Sequence, residues 1–155
     1  GFTPLSGLIM STKSGDVDAS IIPYIMEREG KNASEVIDDL NNRSGLFGMS
    51  EVSDNINDIV RESNSGNHKA SVAIDKFIRR IVDYIAQYYV LLNGADIITF
   101  TSDVLVSNFD ILKEICNRLS CLGVEIDSNI SELSNSVDKI RNKKSKVLIY
   151  CFSVN

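Results

Sequence analysis

Apolar residues recur at three- and four-residue steps over the longest patterned stretch of this chain. From His68 to Leu92, residues Ala70, Ile74, Phe77, Ile78, Ile81, Val82, Ile85, Tyr89 and Leu92 fall on one stripe, which predicts a long helix ended by Asn93-Gly94. Upstream the same period appears in shorter pieces. Ala19 to Glu29 places Ile21, Ile22, Ile25 and Met26 together, with Asp18 as N-cap and Gly30 as stop. Ser34 to Asn42 repeats it with Val36, Ile37 and Leu40, and Ser44-Gly45-Leu46-Phe47-Gly48 reads as punctuation. A third short helix, capped by Ser53, carries Ile56, Ile59 and Val60 and ends at Asn64-Ser65-Gly66-Asn67.

Past the long helix the pattern changes. Asp96 to Thr101 is short and rich in branched apolar residues, which predicts a buried strand. Ser107 and Asp110 form a capping pair for a helix that turns Leu112, Ile115, Cys116, Leu119 and Leu122 inward and closes at Gly123. Val124 to Ile126 is a brief strand, Asp127 to Lys146 is polar and poorly periodic, and Val147 to Val154 is a strand. Helix, strand, helix, strand implies an α/β layer fold with the two longer strands parallel. The chain has no internal repeat.

Composition narrows the function classes. With 155 residues, 43% hydrophobic and 24% charged, the chain buries one ordinary core, and a single domain is the simplest count. A net charge of −5 argues against a nucleic-acid surface. The basic cluster Arg141 to Lys146 reads as a solvated loop. No apolar run reaches the roughly 18 residues of a membrane helix, and the start lacks the basic-then-apolar layout of a signal peptide, so a cytoplasmic location is expected. Cys116, Cys121 and Cys151 show no CxxC spacing and are expected as reduced core thiols, and one histidine, His68, is too few for a His-rich metal centre. Because the chain stops just after an apolar strand, a piece of something longer is expected.

Candidate chemistry starts in Met10-Ser11-Thr12-Lys13-Ser14-Gly15-Asp16-Val17-Asp18, a small-residue turn with one cation and two acids ahead of Ile21-Ile22-Pro23-Tyr24. Such a turn suits an anionic group. The run Gly1-Phe2-Thr3-Pro4-Leu5-Ser6-Gly7-Leu8 through Met26-Glu27 resembles the acetate kinase stretch G-F-T-P-L-x-G-L-M-M-G-T-R-S-G-D-I-D-P-x-I-I-P-Y-L-M. The likeness continues in Asn42-Arg43-Ser44-Gly45-Leu46-Phe47-Gly48-Met49-Ser50 (family K-K-S-G-L-L-G-L-S) and in Gly94-Ala95-Asp96-Ile97-Ile98-Thr99-Phe100-Thr101. It covers nearly the whole chain. The resemblance implies the C-terminal lobe of a two-lobed, ribonuclease H-like fold of the actin, sugar-kinase and Hsp70 type, with the N-terminal lobe and the final helix absent. It also implies ATP or ADP with magnesium as cofactors, acetate as substrate, and pairing of two copies through this lobe.

Site residues follow from the resemblance position by position. Lys13 stands where the family's G-T-R-S-G arginine faces the transferring group; lysine keeps the charge and loses the two-donor fork. Ser53-Asp54-Asn55-Ile56-Asn57-Asp58 aligns with an adenosine-binding S-x-D-[FMC]-R-D segment, with Asn55 and Asn57 replacing an aspartate and an arginine and Ile56 filling an apolar slot. The bland alternative is that these residues cap a helix. Ser102, Asp103, Val104 and Leu105 occupy the family's glycine turn F-T-[AG]-G-I-G-E-N, whose glycines admit positive φ and close approach to phosphate. The family's magnesium-holding glutamate, in P-T-N-E-E, would follow Asn155, and no metal ligand is assigned. Three readings stay open: an acetate kinase lobe inactive as this chain alone, a non-catalytic pseudoenzyme or remnant keeping the fold and a pairing surface, and a lobe of a propionate or butyrate kinase.

Overall fold

A computed structural model describes residues 1–127, 138–139 and 144–153, with the backbone alone at 138–139. The chain divides into two compact units, Gly1–Arg80 and Ile81–Asn155. Each is built from different elements.

In the first unit, an irregular N-terminal stretch leads into α1 (Ile21–Glu29). It starts two residues after the predicted Ala19 because the Asp18 carboxylate accepts the Ser20 N–H at 2.8 Å and also the Ser20 hydroxyl, holding 18–20 as a turn. Gly30 ends it at φ 67°, as predicted. α2 (Ala33–Asn42) is fixed by a capping box the sequence reading missed: Asn32 Oδ1 accepts the Glu35 N–H while the Glu35 carboxylate accepts the Asn32 N–H. Val36 and Leu40 are buried, but Ile37 is exposed.

Residues expected only to punctuate form α3 (Gly45–Ser50). Glycine is a poor helix former, so the cause is tertiary: Leu46 is buried and three backbone N–H groups of this turn bond the 10–12 segment. α4 (Ile56–Asn64) is capped by Asn55, not Ser53. Asn55 Oδ1 accepts the Asn57 N–H at 2.9 Å, while Ser53 Oγ braces the preceding turn by accepting the Asn55 N–H and donating to Asp58. α5 (His68–Leu91) is the predicted long helix, and its first half closes this core with Ala70, Ala73 and Ile78. Full burial of such aliphatic side chains contributes about 1.5–3 kcal/mol each at Leu or Ile size.

The second unit begins with the rest of α5; Leu92, just past its end, proves exposed, and Asn93 and Gly94 take positive φ to end the helix. β1 (Ile97–Thr101) pairs in parallel with β3 (Leu148–Phe152) in register Ile97↔Leu148 to Thr101↔Phe152, the predicted pairing. Among the described residues the sheet order is β1-β3-β2, with β2 (Asp138–Lys139) antiparallel to β3. Among the described residues β1 is paired on one side only and just Phe100 of it is buried, which corrects the expectation of a buried strand. The predicted Ser107 cap is also displaced: Ser102 Oγ accepts the Leu105 N–H to cap α6 (Asp103–Ser107), and α7 (Phe109–Arg118) follows from Asn108.

α7 buries Phe109, Ile111, Leu112, Ile115 and Cys116, and a 3₁₀ turn (Ser120–Leu122) closes at Gly123 with φ 84°. Over 124–126 the expected brief strand is reduced to a single β-bridge at Ile126. Val124 is buried, and the Glu125 N–H instead donates to Ser145 Oγ, a buried hydroxyl that also bonds the Val147 carbonyl. Of the remaining sequence expectations, most of the polar stretch, Arg141 and residues 154–155 lie outside the described residues. Cys116 and Cys151 are core thiols, whereas Cys121 is exposed, contrary to expectation. Among the described residues no helix is long and apolar enough to cross a membrane.

Candidate functional site

Lys13 sits in a loop fastened on both flanks. On one side the loop is stitched to the α2–α3 junction: Ser14 N–H donates to Leu40 O at 2.9 Å, Ser44 N–H to Thr12 O at 2.9 Å, Leu46 N–H to Met10 O at 2.9 Å and Phe47 N–H to Ser11 O at 2.8 Å. Thr12 adds its hydroxyl to Asn41 O at 2.9 Å. Within the loop, Met10 N–H donates to Lys13 O at 3.1 Å. The Lys13 ammonium itself is half-buried and donates to Asn41 Oδ1 at 3.3 Å, and Asn41 is oriented by its own amide donating to Ile37 O. This is not a free surface lysine.

Two glycines make the arrangement sterically feasible. Gly45 adopts φ 63°, and a Cβ there would lie 2.2 Å from Met10 O and 2.7 Å from Lys13 O. Gly15, at φ 72°, would place a Cβ 2.8 Å from Gly7 O and 2.9 Å from Ile9 N. Positive φ together with backbone contact leaves room for hydrogen alone. Beside this junction lies a cavity of about 400 Å³ lined by Ser14, Val17, Leu40, Arg43, Gly45 and Met49. The charged group at its rim is Arg43, which pairs with Asp39 and Asp38. Asp39 also receives Lys31 at 2.6 Å, and the Lys31 and Arg43 hydrogen bonds hold its carboxyl below the usual carboxylate value.

The other predicted site residues fall into two separate groups. Asn55, Ile56 and Asn57 form the head of α4, where the Asn55 side chain serves as cap and Ile56 is buried in the core at 7% exposure. Ser102, Asp103, Val104 and Leu105 form the first turn of α6 in the second unit. No residue from 102 to 107 has positive φ, Leu105 is buried, and the Asp103 carboxylate accepts the Ser153 hydroxyl. A phosphate cradle needs a glycine bend with N–H groups turned outward, and this turn is filled by side chains. Neither segment fits a nucleotide as it stands. Among the described residues no three His, Cys, Asp or Glu side chains gather as metal ligands.

The sequence profile of the Acetokinase family matches residues 1–155. This chain belongs to the acetokinase family. The acetate kinase of Phytoplasma australiense is 43% identical over 145 residues, which are 94% of this chain and 37% of that protein. The acetate kinase of Treponema denticola is 38% identical over 155 residues, 100% of this chain and 39% of its own length. Among solved structures, Porphyromonas gingivalis acetate kinase superposes with a TM-score of 0.94 at 29% identity, and a propionate kinase from Francisella tularensis with 0.90 at 33% identity. Each structure covers 100% of this chain, and this chain covers 39% of each. This chain thus spans about two fifths of the relatives it matches, and its mixed helix and strand content agrees with an α/β lobe of their two-lobed fold.

Sequence reading found the Lys13 turn and its glycine neighbours. It missed Asn41, which accepts from Lys13 across 28 residues, and Arg80, which donates to the Asp16 carboxylate across 64, because bonds of that span leave no local pattern.

Proposed function

We propose that this chain is the C-terminal-lobe part of an acetate-phosphorylating enzyme and supplies the cation that faces the transferring phosphoryl group. The observation that carries this reading is the Lys13 loop: a charged side chain sits on backbone immobilised by four bonds to the α2–α3 junction and by two glycines with no room for Cβ. Phosphoryl transfer depends on positioned cations more than on covalent chemistry by the protein, and a fixed ammonium meets that need. In the relatives, ATP and magnesium would supply the phosphoryl group and charge neutralisation. Here the residues of this chain hold Lys13 in place.

The α6 turn supports the second half of the reading, that this chain alone binds nucleotide weakly and does not turn over. Side chains occupy the place of a glycine bend, and Asp103 brings negative charge to it. The pseudoenzyme alternative is favoured by the same observation. Relatives named for acetate and for propionate both superpose on this lobe, so the same reading extends to a propionate-phosphorylating enzyme. Pairing of two copies is proposed through the end of α5 and the residue after it, where Tyr88, Leu91 and Leu92 are exposed and Tyr88 and Leu92 line a cavity with Ile97 of β1. A cytoplasmic location belongs to the same proposal.

Thermal unfolding under a magnesium-ATP titration tests the nucleotide reading, because selective binding to the folded state raises the midpoint. A shift below about 1 °C at about 1 mM nucleotide is expected. A clear rise at lower concentrations would show that the α6 turn still accepts phosphates. Hydroxamate detection of acetyl phosphate should match a Lys13→Ala control, and turnover above that control refutes inactivity of this chain.

A further inference from the structure

The base of the Lys13 loop is closed by one side chain. Asp16 Oδ1 accepts the Gly7 N–H at 2.8 Å, and the Asp16 N–H donates back to Gly7 O at 3.1 Å. The second carboxylate oxygen, Oδ2, meets Arg80 Nη2 on α5 at 2.8 Å. Residues 7–16 therefore form a closed loop, pinned at its base to a helix 64 residues away in sequence and stitched along its other flank to the α2–α3 junction. Gly15 lets the chain return to Gly7, since a Cβ there would strike Gly7 O.

The Asp16 and Arg80 side chains keep 41% and 30% of their exposure, so as an ion pair they add little to global stability. The consequence is positional. Lysine carries its charge on a four-carbon stem without a planar fork, so the placement of the Lys13 ammonium depends on its backbone more than an arginine's would. We infer that Asp16 and Arg80 are positioning residues, a latch that holds the 7–16 loop in the one conformation that presents Lys13. The chemical meaning of that presentation rests on the phosphotransferase reading; the latch itself does not.

Amide hydrogen exchange on the isotopically labelled 155-residue chain tests it, with Met10 and Ser14 reporting on the loop and Ala73 and Ile115 on helices elsewhere. Asp16→Asn retains an acceptor for Gly7 and removes the charge; Arg80→Gln removes the cation. Both are expected to speed exchange at Met10 and Ser14 by about tenfold while Ala73 and Ile115 stay within about twofold. Arg80→Lys keeps the cation and is expected to restore protection to within about threefold. Unchanged loop exchange in both charge-removing variants overturns the latch, as does a parallel rise at Ala73 and Ile115 or a lysine variant as exposed as the glutamine one. If Arg80→Gln does not fold, Asp16→Asn and Arg80→Lys decide alone. Inorganic phosphate added to the same samples separates the two readings: a response at Lys13 supports the phosphotransferase reading, while the exchange pattern decides the latch whichever way Lys13 responds.

Discussion

Gly45 and Gly66 both adopt positive φ, at 63° and 93°, but only Gly45 is packed against another backbone. A Cβ at Gly45 would enter the Met10 carbonyl, whereas nothing lies within 4 Å of one at Gly66. Gly66→Ala should therefore cost about 1 kcal/mol, the left-handed penalty alone. Gly45→Ala should cost about 3 kcal/mol or more, because the 10–14 loop must also separate from α3. Urea unfolding midpoints of the two variants check the difference, and equal losses would mean that the junction yields easily. At this scale the sequence was only half legible. The Ser44-Gly45 pair announced a bend, but the reason Gly45 is glycine lies in residues 10 and 13.

Among the elements, α1 and α2 are joined by charge as well as by packing. Lys31, between them, reaches Glu29 at 2.5 Å and Asp39 at 2.6 Å, and Arg43 adds a second cation to Asp39. Hydrogen bonds from Lys31 and then Arg43 lower the Asp39 carboxyl from 3.8, and the bonds to Asp39 and Glu29 raise Lys31 from 10.5. A depressed carboxyl contributes stability that is present above its ordinary value and lost as pH falls through the lowered one. A raised ammonium contributes below 10.5 and loses its contribution as pH climbs past its folded value. Asp39→Asn should accordingly be less stable than the parent at neutral pH, with the gap closing as pH falls below 3.8. Urea midpoints measured from about pH 2 to 7 show it, and a gap independent of pH would assign the loss to packing.

The elements also mark where periodicity sufficed. The α5 stripe was legible because 24 residues of helix repeat the pattern several times, and β3 because it is an uninterrupted apolar run that pairs with β1 along all five residues and with β2 at Tyr150 and Cys151. α3 and α6 were not. Each is five or six residues long, too short for a period to emerge, and each is held by partners distant in sequence or by a cap that only the folded backbone brings into place.

For the molecule as a whole, the three thiols report on packing. Burial pushes the Cys116 thiol up to about 12, with the neighbouring Cys151 sulfur adding to the shift, and Cys151 is itself 1% exposed. Cys121 is exposed on the 3₁₀ turn. An aromatic disulfide reagent at about pH 8 should titrate one thiol rapidly in the native chain and three in denaturant, since only thiolate reacts and only Cys121 combines exposure with access. Rapid loss of a second thiol under native conditions would mean that the α7–β3 core opens. The sequence expectation of three core thiols failed at Cys121 because that residue follows the last helical turn of α7, where the inward-facing stripe no longer applies.

Local order in this protein was set by its sequence: the long amphipathic helix, the two apolar strand segments, the glycine stops and the family motifs are each patterns within one short stretch of chain. The exposure of β1, the helical fold of 45–50 and 103–107, the depth of Lys13 and its tether through Asp16 to Arg80 were decided only in three dimensions. Their causes are hydrogen bonds and steric exclusions between segments far apart in the chain, and such pairings exist only once the backbone has closed on itself.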